Sequence, residues 1–467
     1  MAKSYKTPGV YIEEIPSIPP AIHPVETALP VFIGFTELAE SDGRSLVNNP
    51  VKIHSFAAFE SLFGKPAAQR VTVLMDADDQ HLVDVKVDPL LFRLHAAIRL
   101  FFANGGGPCF ICSAGKYPAV VDAEAVFIAL STALGAAGAE PAITLIIIAD
   151  ALLAGEGNFY GLYRQALVQC GSLQNRFVLV DMYSNRGTDS FADLQANFRE
   201  KIAEQHLSFG AAYYPYLQTN LTPSICEAEA TLTLRGQVYK LRLPDDIAIA
   251  NLDHSLYHAD RDLYDAIKNK IQEVKLVLPP SCALAGIYAR TDRSRGVWKA
   301  PSNVQVESVI KPMIHITDKD QDKMNDDPSG KYVNAIREFP GKGTLVWGAR
   351  TLAGNDQEWR YVPVKRLQLF IAESVRQSMQ VFVLEPNDAN TWLKLKAMLE
   401  NFLYNLWTQG ALAGTKPEQA YFVHVGLGST MTATDILENR LIAQIGFAPV
   451  RPAEFILSQF SLKMANE

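Results

Sequence analysis

The sequence predicts an α/β chain of several domains, with a core assembled from both chain ends and an outer α/β insertion between them. Three observations predict this. Residues 143–214 alternate apolar strand-like runs with helical patterns in the order β-α-β-α-β, which specifies a partly parallel sheet with helices against it. Each chain end carries a strand-like segment that has no partner nearby in sequence. The 467 residues exceed what one ordinary hydrophobic core accommodates, so two or three domains are expected.

Taken in order, the first element is TPGVYIEEI at residues 7–15. Pro8-Gly9 is a turn signal, and Val10, Ile12 and Ile15 are apolar, β-favouring positions. Pro16, Pro19 and Pro20 prevent the strand from continuing or folding back as a tight hairpin, so its partner is remote in sequence or lies in another chain. Residues 90–102 have helical spacing and end at Asn104-Gly105-Gly106-Gly107, a C-cap. A phosphate loop would follow a strand and carry Lys-Ser/Thr, and this stretch does neither. Cys109 and Cys112 lie in a β-like run, where their odd separation sends them to opposite faces. A zinc site would need a second Cys/His pair, and an odd total of five cysteines suits buried, reduced thiols.

Next come a strand at 143–148, a helix marked by Phe159, Leu162, Tyr163, Ala166 and Leu167, and a strand at 177–180. A helix at 191–206 and a strand at 211–214 complete the unit. Residues 231–243 alternate as a hairpin turning at Arg235-Gly236, residues 251–273 form a helical return, and residues 276–289 lead back to the core. The charged stretch 317–331 reads as an exposed loop. Two amphipathic helices follow. One begins at Pro363 and presents Leu367, Phe370, Ile371, Ser374, Val375 and Ser378; the other presents Trp392, Leu395, Leu399, Phe402, Leu403 and Leu406. Residues 421–425, 441–447 and 454–462 supply three strands of a small sheet.

A net charge of −7 without a Lys/Arg stripe argues against a nucleic-acid partner. No run approaches the roughly 20 apolar residues of a membrane span, and the N-terminus has no apolar signal segment, so folding in the cytoplasm without membrane insertion is expected. Asp150 and Asp181 follow parallel strands, where ligands of open α/β sheets sit, and they make the best case for a metal-assisted enzyme. The same residues serve equally to cap a helix. Neither a nucleophile elbow nor a metalloprotease or kinase motif accompanies them. Asp253, His254 and His258 place two imidazoles at i, i+4 without a third ligand and read as solvent-facing. No catalytic, cofactor-binding or metal residue is therefore assigned.

The wording of both ends resembles contractile tail sheath proteins. The opening carries TPGVYIEEI, PVETA at 24–28 and FIG at 32–34; the closing stretch carries GSTMTATDI at 428–436, RLI at 440–442 and APVRPAEFI at 448–456. Between them, GVWKAP at 296–301, NAIR at 334–337 and GART at 348–351 also match. The resemblance covers about the first 35 and about the last 190 residues, while the middle matches in outline.

The resemblance implies a tail-sheath-like core of residues 23–50 plus 275–450, an outer α/β insertion at 51–274, an N-terminal linking arm at 1–22 and a C-terminal arm at 451–467. It implies a structural subunit that polymerises around an inner tube and contracts to drive it through a target envelope. Val10, Tyr11, Ile12, Glu13 and Ile15 would form one inter-subunit strand, and Phe455, Ile456, Leu457 and Phe460 the other. Pro16, Pro19 and Pro20 would stiffen the hinge, and Asp435, Glu438 and Arg440 would contact the tube. Partners would be further copies of the chain, the inner tube protein, and the baseplate and cap proteins of a particle assembled in the bacterial cytoplasm. No cofactor is implied. The proline-rich continuation at 15–22 and the compact insertion point to an injection-system sheath. The sheath of a phage virion, an adhesin or capsid-like module, and an α/β enzyme with a metal site near Asp150 and Asp181 are the alternatives.

Overall fold

Apolar runs without polar alternation form the centre of this fold, because a strand covered on both faces cannot tolerate a polar side. The structure, a computed structural model, describes residues 21–41, 43–76, 82–185, 187–234, 237–243 and 254–454. Nine strands form one sheet: β1 (Pro30–Thr36), β2 (Val51–Ile53), β3 (Cys109–Lys116), β4 (Leu145–Ile148), β5 (Phe177–Val180), β6 (Gly210–Tyr214), β7 (Val304–Gln305), β8 (Val333–Phe339) and β9 (Gly343–Trp347). Every residue of β1, β4, β5 and β6 is buried. The order is β7-β9-β8-β6-β5-β4-β1-β3-β2. The inner run from β8 to β3 is parallel; β9 and β7 on one side and β2 on the other pair antiparallel.

The helices that matter below are α1 (Leu94–Ala103), α2 (Ala123–Ala137), α3 (Gly155–Leu173), α4 (Phe191–Lys201), α5 (Arg261–Glu273), α6 (Ser281–Arg295), α7 (Asp318–Asn325), α8 (Val362–Ser378) and α9 (Ala389–Thr408). Helix α1 packs on α6 and α2 on α3. The first pair crosses closely at Gly286, where a Cβ would stand 2.5 Å from the Phe101 carbonyl oxygen. Among the described residues no helix is long and apolar enough to cross a membrane.

The α/β fold matches the sequence reading, and the strand at 177–180 falls where expected. Cys109 and Cys112 lie on β3 as buried free thiols, and Cys170 and Cys282 are buried and free as well. Burial pushes the Cys112 and Cys170 thiols up to about 12.

Several elements differ from expectation. The charged stretch 317–331 contains α7, started by a capping box in which the Thr317 side chain and Asp320 bond each other's backbone N–H. Met324 pins this helix with its side chain fully buried, and Lys331 is buried with its ammonium donating to the Arg199 carbonyl. Helix α4 ends at Lys201 rather than near residue 206. The helical return begins at Leu256 and breaks at Asp260, whose carboxylate caps α5. His254 therefore precedes the short helix that carries His258, and the i, i+4 pairing on one helix does not form; Asp253 lies outside the described residues. The turn at Arg235-Gly236 also lies outside them, although its strands Thr231–Leu234 and Gln237–Lys240 pair as a hairpin.

Contacts divide the described chain into two compact units, Val25–Ala372 with residues 451–454, and Glu373–Val450 with residues 21–24; the boundary falls within α8. One sheet thus draws strands from both 23–50 plus 275–450 and the segment 51–274: β3 to β6 lie between β1 and β8 or flank them. Crossover connections interleave strands that are far apart in sequence, so a linear partition does not follow them. Part of the 51–274 segment does have its own small core. Val85, on the strand Leu82–Val87 that pairs with Val71–Met75, clusters with Leu232, Leu241, Leu256, Tyr264, Ile267 and Ile271 of the 231–240 hairpin and the segment through α5.

Candidate functional site

Asp150 and Asp181 occupy the carboxyl ends of β4 and β5; Asp150 is spent on backbone and Asp181 on backbone and two hydroxyls. Asp150, wholly buried, accepts from the Phe35 N–H at 2.8 Å and the Arg93 N–H at 2.5 Å, which caps α1 from a strand 57 residues away in sequence. Arg93 offers no side-chain cap of its own. Asp181 accepts from the Ser281 N–H at 3.0 Å and Ser281 Oγ at 2.5 Å, capping α6, and from the Tyr163 hydroxyl at 3.3 Å. Helix N-termini favour such carboxylates through their unpaired N–H groups and dipole. The strand order reverses beside β1, the place where an open sheet would admit a ligand, and there Asp150 sits against Gly34. Among the described residues no group of three or more potential metal ligands is gathered.

Burial raises both carboxyls to about 6, above the ordinary 3.8, while the accepted hydrogen bonds partly offset it. The folded state therefore binds more protons than the unfolded chain between pH 4 and 6, and stability from these groups falls as pH rises through that window. The loss is on the order of 2–3 kcal/mol per group. Thermal unfolding should show a higher midpoint near pH 4.5 than at pH 7 from this source, and Asp150→Asn or Asp181→Asn should flatten the slope. An unchanged slope in both variants would remove the assignment.

The second candidate is a small sheet in the unit Glu373–Val450. Strand β10 (Tyr421–Val425) pairs antiparallel with β11 (Ala443–Phe447), in register from Tyr421–Phe447 to Val425–Ala443. Helix α9, capped by the Asp388 carboxylate on the Thr391 N–H at 2.9 Å, packs on β10 and buries Leu395, Met398, Leu399, Phe402, Leu403 and Leu406. Gly446 opposes Phe422, whose ring lies where a Cβ would stand 2.1 Å away. Two strands alone are marginal in water. Among the described residues each of the two has one partner strand, which leaves an edge on either side. Of the expected third strand at 454–462, Glu454 is not in a strand and the rest lies outside the described residues.

The connection between β10 and β11 explains the motif GSTMTATDI. The Met431 N–H closes a turn onto the Gly426 carbonyl at 3.1 Å, Thr430 Oγ1 donates to the Ile442 carbonyl at 2.6 Å, and Thr432 with Asp435 forms a capping box on the helix Ala433–Leu437. Asp435, Glu438 and Arg440 are brought together, since Arg440 Nη2 lies 2.7 Å from both carboxylates. The Thr432 side chain's hydrogen bond holds the Asp435 carboxyl below its ordinary range. Val10, Tyr11, Ile12, Glu13 and Ile15, Pro16, Pro19 and Pro20, and Phe455, Ile456, Leu457 and Phe460 lie outside the described residues.

Two arginines that sequence reasoning did not single out make contacts far apart in sequence. Arg350 pairs with Glu454, and Arg366 reaches the carbonyl of Thr27. The available signals were slight. Arg350 is the third residue of GART, and Arg366 interrupts the apolar face of its helix beside Leu367.

The chain matches the family model of the phage tail sheath protein central domain over residues 185–352 and that of the phage tail sheath C-terminal domain over residues 354–463, together more than half of its length. Among solved structures it is similar to the sheath of an extracellular contractile injection system, PVC, in its contracted state, with 28% identity and a TM-score of 0.64 over 98% of each chain. It is also similar to the contracted helical sheath of the anti-feeding prophage, with 29% identity and a TM-score of 0.65 over 98% of this chain and 99% of the other. A putative prophage major tail sheath protein of Pseudomonas aeruginosa strain UCBPP-PA14 is 24% identical over 180 residues, 38% of this chain. That alignment spans 44% of the Pseudomonas protein, less than half its length.

Proposed function

Because the chain belongs to the phage tail sheath family, we propose that it is the structural subunit of the contractile sheath of a phage-tail-like injection particle, polymerising around an inner tube and contracting to drive it through a target envelope. The observation that carries the reading is the near full-length correspondence to two injection-system sheaths, against partial alignment with the prophage protein. The sheath of a phage virion is the second reading, favoured by the tail sheath protein of Burkholderia phage BcepMu, 30% identical over 30% of this chain.

In this reading the open edges of β10 and β11 receive strands from neighbouring copies, residues 10–15 of one arm and 455–460 of the other. Pro16, Pro19 and Pro20 limit the directions the N-terminal arm can take. No nucleotide is consumed. The tube templates an extended lattice, and new contacts between subunits release the stored free energy on contraction. Baseplate and cap proteins complete the particle, which assembles in the bacterial cytoplasm. An enzyme using Asp150 and Asp181 is disfavoured, because their oxygens already serve two helix N-termini.

Electron microscopy of the purified protein expressed alone tests the proposal. Hollow ridged cylinders are expected, whereas monodisperse particles that do not assemble even with tube and baseplate would refute it. The tube contact is assigned to Asp435, Glu438 and Arg440: Glu438 and Arg440 are exposed and pair with each other at the surface, while Asp435, which also pairs with Arg440, is held half-buried in the capping box with Thr432 and fixes their position. Arg440→Glu turns a cluster of net charge −1 into −3. It should weaken co-assembly with the tube about tenfold in a pull-down while tube-free cylinders persist; unaltered tube binding would withdraw the assignment.

A further inference from the structure

The base of the C-terminal arm is held by an arginine, Arg350, at one end of a short segment, residues 350–366. At one end the Arg350 guanidinium grips Glu454 through Nε to Oε1 at 2.8 Å and Nη2 to Oε2 at 2.5 Å, and it lies 4.8 Å from the Tyr332 ring centre. Glu454 immediately precedes the C-terminal segment 455–467. At the other end the Arg366 guanidinium grips Asp292 at 2.9 and 2.6 Å and donates to the Thr27 carbonyl at 3.3 Å, three residues before β1. Between them the chain closes on itself: the Val362 N–H bonds the Ala349 carbonyl at 2.9 Å, and the Thr351 N–H bonds the Arg360 carbonyl at 2.8 Å.

Both grips trace to neighbouring residues of β6. The Asn334 side chain accepts from the Arg350 N–H at 2.7 Å and donates to the carbonyls of Arg350 at 2.8 Å and Ala212 at 3.0 Å. Arg366 stacks 4.8 Å from the ring centre of Tyr288, whose hydroxyl meets that of Tyr213 at 2.8 Å. Ala212 and Tyr213 are consecutive on a fully buried strand at the middle of the sheet. Bidentate arginine–carboxylate pairs are planar and directional, so they fix an exit direction as well as a distance.

We propose that Arg350 is a positioning residue that anchors the C-terminal inter-subunit arm to the core sheet, through its grip on Glu454 and the Asn334 contacts that tie Arg350 to β6. The inference rests on the reading of the C-terminal end as a linking arm. An anchored exit shortens the free tether and raises the effective concentration of the arm at its neighbour's edge. Freeing Glu454 lengthens that tether and lowers it, with no change to the β-strands that do the pairing.

The test compares wild type with Glu454→Gln and Arg350→Gln, measuring the subunit concentration at which cylinders form and the melting midpoint of unassembled subunit. Each variant should raise the threshold about tenfold, equivalent to about 1.4 kcal/mol, and the double variant no further, since both remove one interaction. Glu454→Asp, which keeps the charge, should recover part of the loss. A merely structural salt bridge would instead lower the melting midpoint and leave the threshold of the folded fraction untouched, which overturns the proposal. A variant lacking residues 455–467 runs alongside. If it loses polymerisation while Glu454→Gln does not, the anchor fails and the arm reading stands; if it polymerises like wild type, the arm reading fails and takes the anchor with it.

Discussion

Deleting residues 1–15 is expected to leave the subunit folded and abolish its polymerisation. Among the described residues every strand of the nine-stranded sheet lies at or after Pro30, so the deletion removes none of its strands. In the proposed arm exchange, what is lost is one strand of about six residues added to a neighbour's edge. Each main-chain bond contributes roughly 0.5–1.5 kcal/mol net, so the junction amounts to only a few kcal/mol. A helical lattice repeats it at every subunit. Losing even about 3 kcal/mol per subunit raises the assembly threshold about a hundredfold. Sedimentation and electron microscopy should find compact particles where wild type gives cylinders, with an unaltered circular dichroism spectrum. Cylinders at the wild-type threshold would end the arm-exchange account.

Asp292→Ala is expected to cost about 3–5 kcal/mol of folding stability. Its side chain and that of Arg366 are 5% and 4% exposed, so the pair is desolvated on both sides. Removing the carboxylate strands a guanidinium whose remaining partners are the Thr27 carbonyl and the Tyr288 ring. Against a typical total of about 5–15 kcal/mol, that is a large fraction. Replacing both members by apolar residues, Asp292→Leu with Arg366→Met, should be less damaging than the single change, because no buried charge is left over. Urea unfolding distinguishes these cases. A loss under about 1 kcal/mol in the single variant would mean that water reaches the pair.

The parallel sheet was legible because LIII at 145–148 and FVLV at 177–180 have no polar face to hide, and α9 because its apolar stripe repeats over 20 residues. The order of the sheet was not legible, since hydrogen bonding places β1 between β3 and β4, and sequence proximity carries no record of that order. Helix α7 was concealed by composition: Met324 alone is buried among charged residues, and only the Thr317–Asp320 spacing betrays it. The aspartates were placed correctly at strand ends, yet their use as caps depends on backbone 57 and 100 residues away. Arg350 lay in plain view within GART, but its partner is 104 residues further on.

Cys109, Cys112, Cys170 and Cys282 are interior, and burial keeps them as thiols far above the pH at which disulfide exchange needs the thiolate. In the proposed sheath, these four thiols therefore take no part in oxidative cross-linking. Covalent cross-links between sliding subunits would jam the machine, and of the described thiols only Cys226 stands near enough to the surface to make one.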